Sequence, residues 1–296
     1  MDEGGIYTST NGGTSWTQTA APISIYWRSI ASSSDGSKLA AVYTDYEDYI
    51  QRGRVYTSTD RGISWTHQTA MWLNRYKEIA SSSDGSMLAV DTGGDGVIWK
   101  SNDGGYSWTY TNSLYATGIA CSSDGSMLFS INPNGGFQAS YNGGVSWRHT
   151  SDTPSCRDCS SIASSSDGSK LAAVVNRPYN NFFDSGIYIS TNGGIYWTRS
   201  WITSSKFWRS IASSDDGSKL AAVVQDGGIY TSTNGGTSWT LTTAPNPAQW
   251  RKIASSSDGL KLAALIYNYS QSCADCPYFG GIYTSTNGGV DWKKSL

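Results

Sequence analysis

The sequence predicts an all-β fold, a β-propeller of four-stranded antiparallel blades. Short Ser/Thr/Tyr/Trp-rich runs alternate with glycine turns, strong helix formers are scarce, and two hairpin modules recur along all 296 residues. Glu occurs only at positions 3, 47 and 78, against 33 Gly, 13 Trp and 19 Tyr, a composition suited to short strands and tight turns.

One module reads Trp27-Arg-Ser-Ile-Ala-Ser-Ser-Ser-Asp-Gly-Ser-Lys-Leu-Ala-Ala-Val42 and occurs six times in all, with Ile79, Ile119, Ile162, Ile211 and Ile253 in the place of Ile30. The other runs from Gly228 to Trp239, and its seven copies end at Trp16, Trp65, Trp108, Trp147, Trp197, Trp239 and Trp292. Each is a pair of β-rich runs around an Asp-Gly or Asn-Gly-Gly turn, where Gly accepts positive φ and the Asx side chain bonds nearby amides. A pair of modules is therefore a meander of strands A and B, then C and D. The terminal Trp residues fall 39 to 53 residues apart, a blade-sized period. A linear solenoid is the competing architecture, but no capping repeat is visible, and closure in a ring protects edge strands without one.

Blade number follows from spacing. Trp16 to Trp27, Trp65 to Tyr76, Trp197 to Trp208 and Trp239 to Trp250 are each eleven residues, so the first hairpin, Gly4 to Thr17, should sit beside the first blade as a preceding blade would. A six-blade ring would already fill that place with the last hairpin. The expectation is seven positions, six complete and one N-terminal half-blade, with six blades as the alternative. The whole of residues 1–296 reads as a single propeller domain, or as a segment of a longer polypeptide whose missing inner strands lie elsewhere. A second chain could also supply those strands by β-addition, and the open edges make homo-association an expected alternative.

The C-to-D hairpin matches Ser-x-Asp-x-Gly-x-x-Trp fully at Ser58, Asp60, Gly62 and Trp65 and at Ser101, Asp103, Gly105 and Trp108. It thereby resembles the Asp-box (BNR-repeat, sialidase-like) propeller family, which includes sialidases, sortilin-type receptors and the photosystem II assembly propeller. The other copies carry Asn11, Asn142, Asn192, Asn234 and Asn287, and Asn still accepts the turn's hydrogen bonds. The resemblance implies that the Asx residues and the seven Trp residues are scaffold. It implies no activity.

Function has to come from the rims. The B-to-C loops Tyr43 to Gly53, Asn176 to Gly186 and Ile266 to Gly280 are long and hold Tyr46, Tyr179, Phe183 and Tyr278 among other aromatics, suited to a glycan or a protein or to packing on one another. At the same rim the A strands open with Trp27-Arg28, Tyr76-Lys77, Trp208-Arg209 and Trp250-Arg251, which could wall a channel mouth for an anionic or carbohydrate ligand or pack between blades. Asp45, Glu47 and Asp48 lack a regular cation-ligand spacing, and no metal or cofactor is expected.

The leading expectation is a non-catalytic, extracellular or cell-surface module that binds a glycan or protein or builds an assembly. A sialidase-like glycoside hydrolase is one alternative, but Arg28, Arg209 and Arg251 lack the partner carboxylates such chemistry needs. An assembly chaperone resembling the photosystem II propeller is the other. A net charge of -2 removes any general attraction for nucleic acid, and no apolar run reaches the roughly 18 residues of a membrane span. Cys156 with Cys159 and Cys273 with Cys276 read as two local disulfide loops or one four-thiolate zinc site, and Cys121 as a buried filler. Asn268-Tyr269-Ser270 is a glycosylation acceptor pattern.

Overall fold

The Ser-Ser-Asp-Gly runs fold as turns because their side chains replace missing backbone partners. Ser33 Oγ donates to Asp35 Oδ1 (2.7 Å), which also accepts the Ser37 amide (2.9 Å), while Ser33 Oγ accepts the Lys38 amide (3.0 Å). Gly36 takes the positive φ of 70° that closes the turn. The same Ser-to-Asp bond recurs at Asp84, Asp124, Asp167, Asp216 and Asp258. The Trp hairpins are built likewise: Ser58 Oγ donates to Asp60 Oδ1 and accepts the Gly62 amide, both at 2.8 Å. Asn234 reproduces this geometry with Ser232 at 3.0 Å, so Asp and Asn are equivalent in the turn.

The computed structural model describes residues 4–296 except 24–25, 46–51, 74–75, 94–95, 112, 114, 133–135, 152–157, 177–184, 203–205 and 267–279. A two-stranded hairpin, β1 (Tyr7–Thr8) and β2 (Thr17–Gln18), comes first. The first four-stranded sheet follows: β3 (Trp27–Ser32), β4 (Leu39–Asp45), β5 (Arg52–Ser58) and β6 (Thr66–Leu73). The second is β7 (Glu78–Ser81), β8 (Leu88–Asp91), β9 (Ile98–Ser101) and β10 (Thr109–Tyr110). The third is β11 (Ile119–Cys121), β12 (Leu128–Asn132), β13 (Gly136–Ser140) and β14 (Arg148–His149). The fourth is β15 (Asp158–Ser164), β16 (Leu171–Asn176), β17 (Gly186–Ser190) and β18 (Thr198–Arg199). The fifth is β19 (Trp208–Ser213), β20 (Leu220–Gly227), β21 (Ile229–Ser232) and β22 (Thr240–Leu241). The sixth is β23 (Ala248–Ser255), β24 (Leu262–Ile266), β25 (Gly281–Ser285) and β26 (Lys293–Lys294). Every sheet is an antiparallel meander in sequence order, and β20 also pairs with β23, joining the fifth and sixth.

Neighbouring sheets pack face to face, with β3, β7, β11, β15, β19 and β23 each touching the next. Core clusters lie between sheets: Phe129, Ile131 and Phe137 of the third pack with Ile162, Val175 and Trp197 of the fourth. This is why the B strands read as continuous apolar runs; both faces of β16 are buried. A backbone ladder ties the A-to-B turns together, Ser34 N donating to Ser83 O, Ser83 N to Ser123 O, Ser123 N to Ser166 O, Ser166 N to Asp215 O and Asp215 N to Ser257 O, at 2.7–2.8 Å.

The N-terminal hairpin is the exception in size. The Gly three residues before the Trp of each hairpin fits against the preceding sheet: a Cβ on Gly105 would meet Thr57, and one on Gly289 would meet Thr231. On Gly13 it would meet Thr284 of β25, and on Gly62 it would meet Thr19 just after β2. The hairpin therefore lies between the sixth sheet and the first. Ile6 joins Ala21 and Ala41 in the core there, with Trp27 and Trp65 packed against them.

Candidate functional site

The A strands open with a β-bulge in four sheets. Register slips between Trp27 and Ser29, Cys159 and Ser161, Trp208 and Ser210, and Trp250 and Lys252, leaving Arg28, Ser160, Arg209 and Arg251 as the extra residue. A bulge re-aims side chains. Here it sorts the aromatic from the cation, and the outcome corrects the expectation of an aromatic-walled mouth. Tyr76, Trp208 and Trp250 are 2%, 1% and 0% exposed and so unavailable to a ligand. Trp208 meets Tyr230 edge-on at 5.4 Å and Trp250 meets Tyr283 at 5.4 Å, so each ring is spent on the C strand of its own sheet. Half-buried Trp27 does the same with Tyr56 at 5.7 Å and donates its Nε1 to Pro22 O.

The cations remain at the rim. Arg28 and Lys77 are exposed, Arg209 and Arg251 half-buried. They occupy the fifth, sixth, first and second sheets, an unbroken arc centred on the place of the N-terminal hairpin. Thr117 and Ser160 stand at this position in the third and fourth sheets, opposite the arc. Arg209 is held by Gln225 Oε1, which accepts its Nε (2.6 Å) and Nη2, and Lys77 Nζ donates to Thr117 O at 2.5 Å. Burial, then the charge of Arg251, pulls the Arg209 guanidinium below its usual pKa, and Asp226 opposes this.

One step further along the A strands stand Ser29, Glu78, Gly118, Ser161, Ser210 and Lys252. Three are serines, and the Oγ of Ser29, Ser161 and Ser210 accept the amides of Ile79, Ile211 and Ile253 in the following sheets. The two charged departures find each other: Lys252 forms an ion pair with Glu78, linking the sixth and second sheets. Opposite Glu78 on β8 lies Asp91, fully buried. Its Oδ1 accepts the Gly93 amide (3.0 Å) while Oδ2 has no partner. Burial, and then the Glu78 charge, pushes its carboxyl up to about 8. This cluster was not read from the sequence, although Lys252 in place of the repeat's Ser was the visible signal.

Inside the N-terminal hairpin the succession of inner strands opens into a largely apolar cavity of about 580 Å³. Ile6 and Tyr7, Ile30 of β3, Leu265 of β24, and the Glu78 and Lys252 side chains line it. The Trp-hairpin residues Asn11, Asp60, Asp103, Asn142, Asn192, Asn234 and Asn287 hold their turns through Ser hydroxyls. Of their tryptophans, Trp65, Trp108, Trp197, Trp239 and Trp292 donate Nε1 to the carbonyl of the glycine three residues before them. Trp16 and Trp147 bury theirs without a partner.

Tyr46, Tyr179, Phe183, Tyr278, Asn268, Cys156, Cys273 and Cys276 lie outside the described residues. Cys159 is buried on β15. Cys121 is a free cysteine whose thiol donates to Ser81 O (3.2 Å) and is pushed up to about 12, chiefly by burial. No group of three or more His, Cys, Asp or Glu able to hold a metal occurs among the described residues.

No family model matches the chain, and no curated protein matches it. Its structure is similar to the GH74 xyloglucanase from Xanthomonas campestris, with a TM-score of 0.69 and 14% identity over 98% of this chain; the chain spans 47% of that one's length. YCF48 from Cyanidioschyzon merolae gives 0.67 and 16% identity, covering 95% of this chain and 88% of that one. A structure of YCF48 bound to D1 peptide gives 0.61 and 15%, covering 93% and 83%. Likenesses at 14–16% identity show the fold alone, and by that fold the chain is a β-propeller.

Proposed function

We propose that this chain is a non-catalytic propeller of the Asp-box kind, extracellular or at a cell surface, that binds a protein partner at the rim carrying Arg28, Lys77, Arg209 and Arg251 and serves as a binding or assembly module. The observation that carries this reading is the arc itself, since bulges present its three Arg residues and hide the aromatic neighbours of Arg209 and Arg251 in the blades. Clustered cations on a rigid rim suit an acidic extended segment, and charge at such a rim sets capture rate and specificity. The YCF48 structure with a bound D1 peptide is a similar propeller in a peptide complex. Carboxylate placement also favours binding over glycoside hydrolysis: Glu78 is taken up by Lys252 and Asp91 is buried. The cysteine pairs and Asn268 fit an oxidising compartment, for which intact mass before and after reduction and deglycosylation is the direct measurement.

Binding to a peptide array graded in net charge tests the proposal. Acidic peptides should bind, with affinity falling as salt rises from 50 to 300 mM. The triple variant Arg28→Glu, Lys77→Glu, Arg251→Glu should weaken binding about 3- to 100-fold, at roughly 0.2–1 kcal/mol per rim charge. Retention of glycans with no peptide bound would replace the protein partner by a carbohydrate, and turnover of a fluorogenic glycoside would replace binding by catalysis.

A further inference from the structure

The face of β3 toward the sixth sheet is bare in a way no equivalent face is. Ile30 is 50% exposed, whereas Ile79, Ile119, Ile162, Ile211 and Ile253 at the same register are 4–7% exposed. Across the opening Leu265 is 43% exposed, whereas Val42, Ile131, Val174 and Val223 are at 0%. Gly36 adds a third sign. A Cβ on Gly85, Gly125, Gly168, Gly217 or Gly259 would strike a Lys or Met of the preceding sheet, yet one on Gly36 meets nothing within 4 Å. The backbone ladder between turns also ends here, with Ser34 O at one end and Ser257 N at the other.

We infer that the opening inside the N-terminal hairpin is a docking site for a β-hairpin of a partner polypeptide, which pairs with the inner edge of β1 and fills a seventh place in the ring. The six occupied places specify the guest. In β20 and β21, Leu220, Ala221, Ala222 and Val223 pair with Ser232, Thr231, Tyr230 and Ile229. By the same register the guest's outer strand sets Leu-Ala-Ala-Val, or residues of that size, against Ser9, Thr8, Tyr7 and Ile6. Its inner strand carries Ser-Ile, the Ile between Ile30 and the sixth sheet and the Ser oxygen accepting the Ile30 amide, as Ser210 does for Ile253. Its turn donates an amide to Ser34 O and accepts the Ser257 amide, joining the two ends of the ladder.

Charge names one more residue. At the bulge position the guest stands between Arg251 and Arg28, with Arg209 and Lys77 beyond, so an acidic residue belongs where the chain itself has Arg or Lys. This inference rests on the rim reading above for that acidic residue alone; the fit of the hairpin is independent of it. Burying Ile30 and Leu265 as their counterparts are buried, with strand pairing along β1, is β-addition with side-chain selection.

The test adds a synthetic peptide with the sequence of residues 206–226, carrying Glu in the place of Arg209, to the intact chain. Binding at one peptide per chain is expected, with amides of β1 and of Ser257 protected from hydrogen exchange. Ile30→Asp and Leu265→Asp change exposed side chains, so the fold should persist by circular dichroism while peptide affinity falls at least tenfold. Trp201→Ala, at a 95% exposed tryptophan, serves as the variant that leaves binding unchanged. No uptake at millimolar peptide, equal uptake by the two Asp variants, or a dimer formed through the opening that excludes peptide would each overturn the inference. Uptake that survives the triple charge reversal upholds the docking site and rejects the arc as its guide; loss of acidic-peptide binding without loss of hairpin uptake does the same.

Discussion

Gly53 shows how a single residue sets the packing of two sheets. It lies on β5 where the ring of Tyr76 closes over the backbone, and a Cβ there would overlap Cδ2 and Cε2 of that ring. Gly53→Ala should therefore lower stability by about 1–3 kcal/mol, the cost of overpacking a filled core, measured by denaturant unfolding. Asp91 is the opposite case, a polar group held at a cost. With its folded pKa pushed up to about 8 and the unfolded value near 3.8, the folded state keeps a proton that the unfolded state releases. Stability should then be greatest below pH 4 as far as this group is concerned, and fall as pH rises towards 8. Asp91→Asn removes the titration and should stabilise the protein by a few kcal/mol more at pH 8 than at pH 5, at roughly 1.4 kcal/mol per pH unit. Unfolding at pH 5 and pH 8 checks it: an equal gain at both would assign the effect to packing instead.

At the scale of the element, the turns carry the opposite pH dependence. Asp35, Asp84 and Asp167 accept hydrogen bonds from Ser hydroxyls first and turn amides second, and their carboxyls are lowered to about 2. Their contribution is complete above about pH 4 and lost as pH falls through 2, because the ionised carboxylate is what the turn binds. The urea midpoint should thus drop between pH 4 and pH 2, and Asn at all three positions should flatten that drop. The five Trp hairpins with Asn show that the amide keeps the geometry, Asn234 Oδ1 accepting the Ser238 amide at 2.9 Å as Asp60 Oδ1 accepts that of Ser64 at 2.8 Å. An unchanged pH profile in the triple variant would place the acid sensitivity elsewhere.

For the whole molecule, the ring is even in construction and uneven at one place. Between most sheets an Ile, a pair of Ala residues and a Val or Leu are buried on both sides, and turn bonds run from Ser34 to Ser257. At the N-terminal hairpin only the outer half is present. Opening free energy should accordingly be lowest in β1 and β2, whose amides are expected to exchange before those of β16, buried along its length. Hydrogen exchange with and without the 206–226 peptide measures both the local weakness and its repair. Equal protection of β1 and β16 in the free chain would deny the weakness.

The repeat made much of this legible in advance. The period of the Trp residues and the Gly turns dictated strands, meanders and a ring, because such hairpins bury their apolar side chains only against copies of themselves. Even the place of the first hairpin followed from the eleven-residue spacing between Trp16 and Trp27. What the sequence left open was which member of each aromatic-basic pair faces outward, since both suit a rim; the bulge decided it by turning Trp208 inward and leaving Arg209 at the mouth. Nor could spacing reveal that Lys252 meets Glu78 from 174 residues away, that Asp91 loses its water, or that Ile30 stands bare. Local order is written in short-range pattern, whereas burial and ion pairing across a ring exist only once distant blades are brought together.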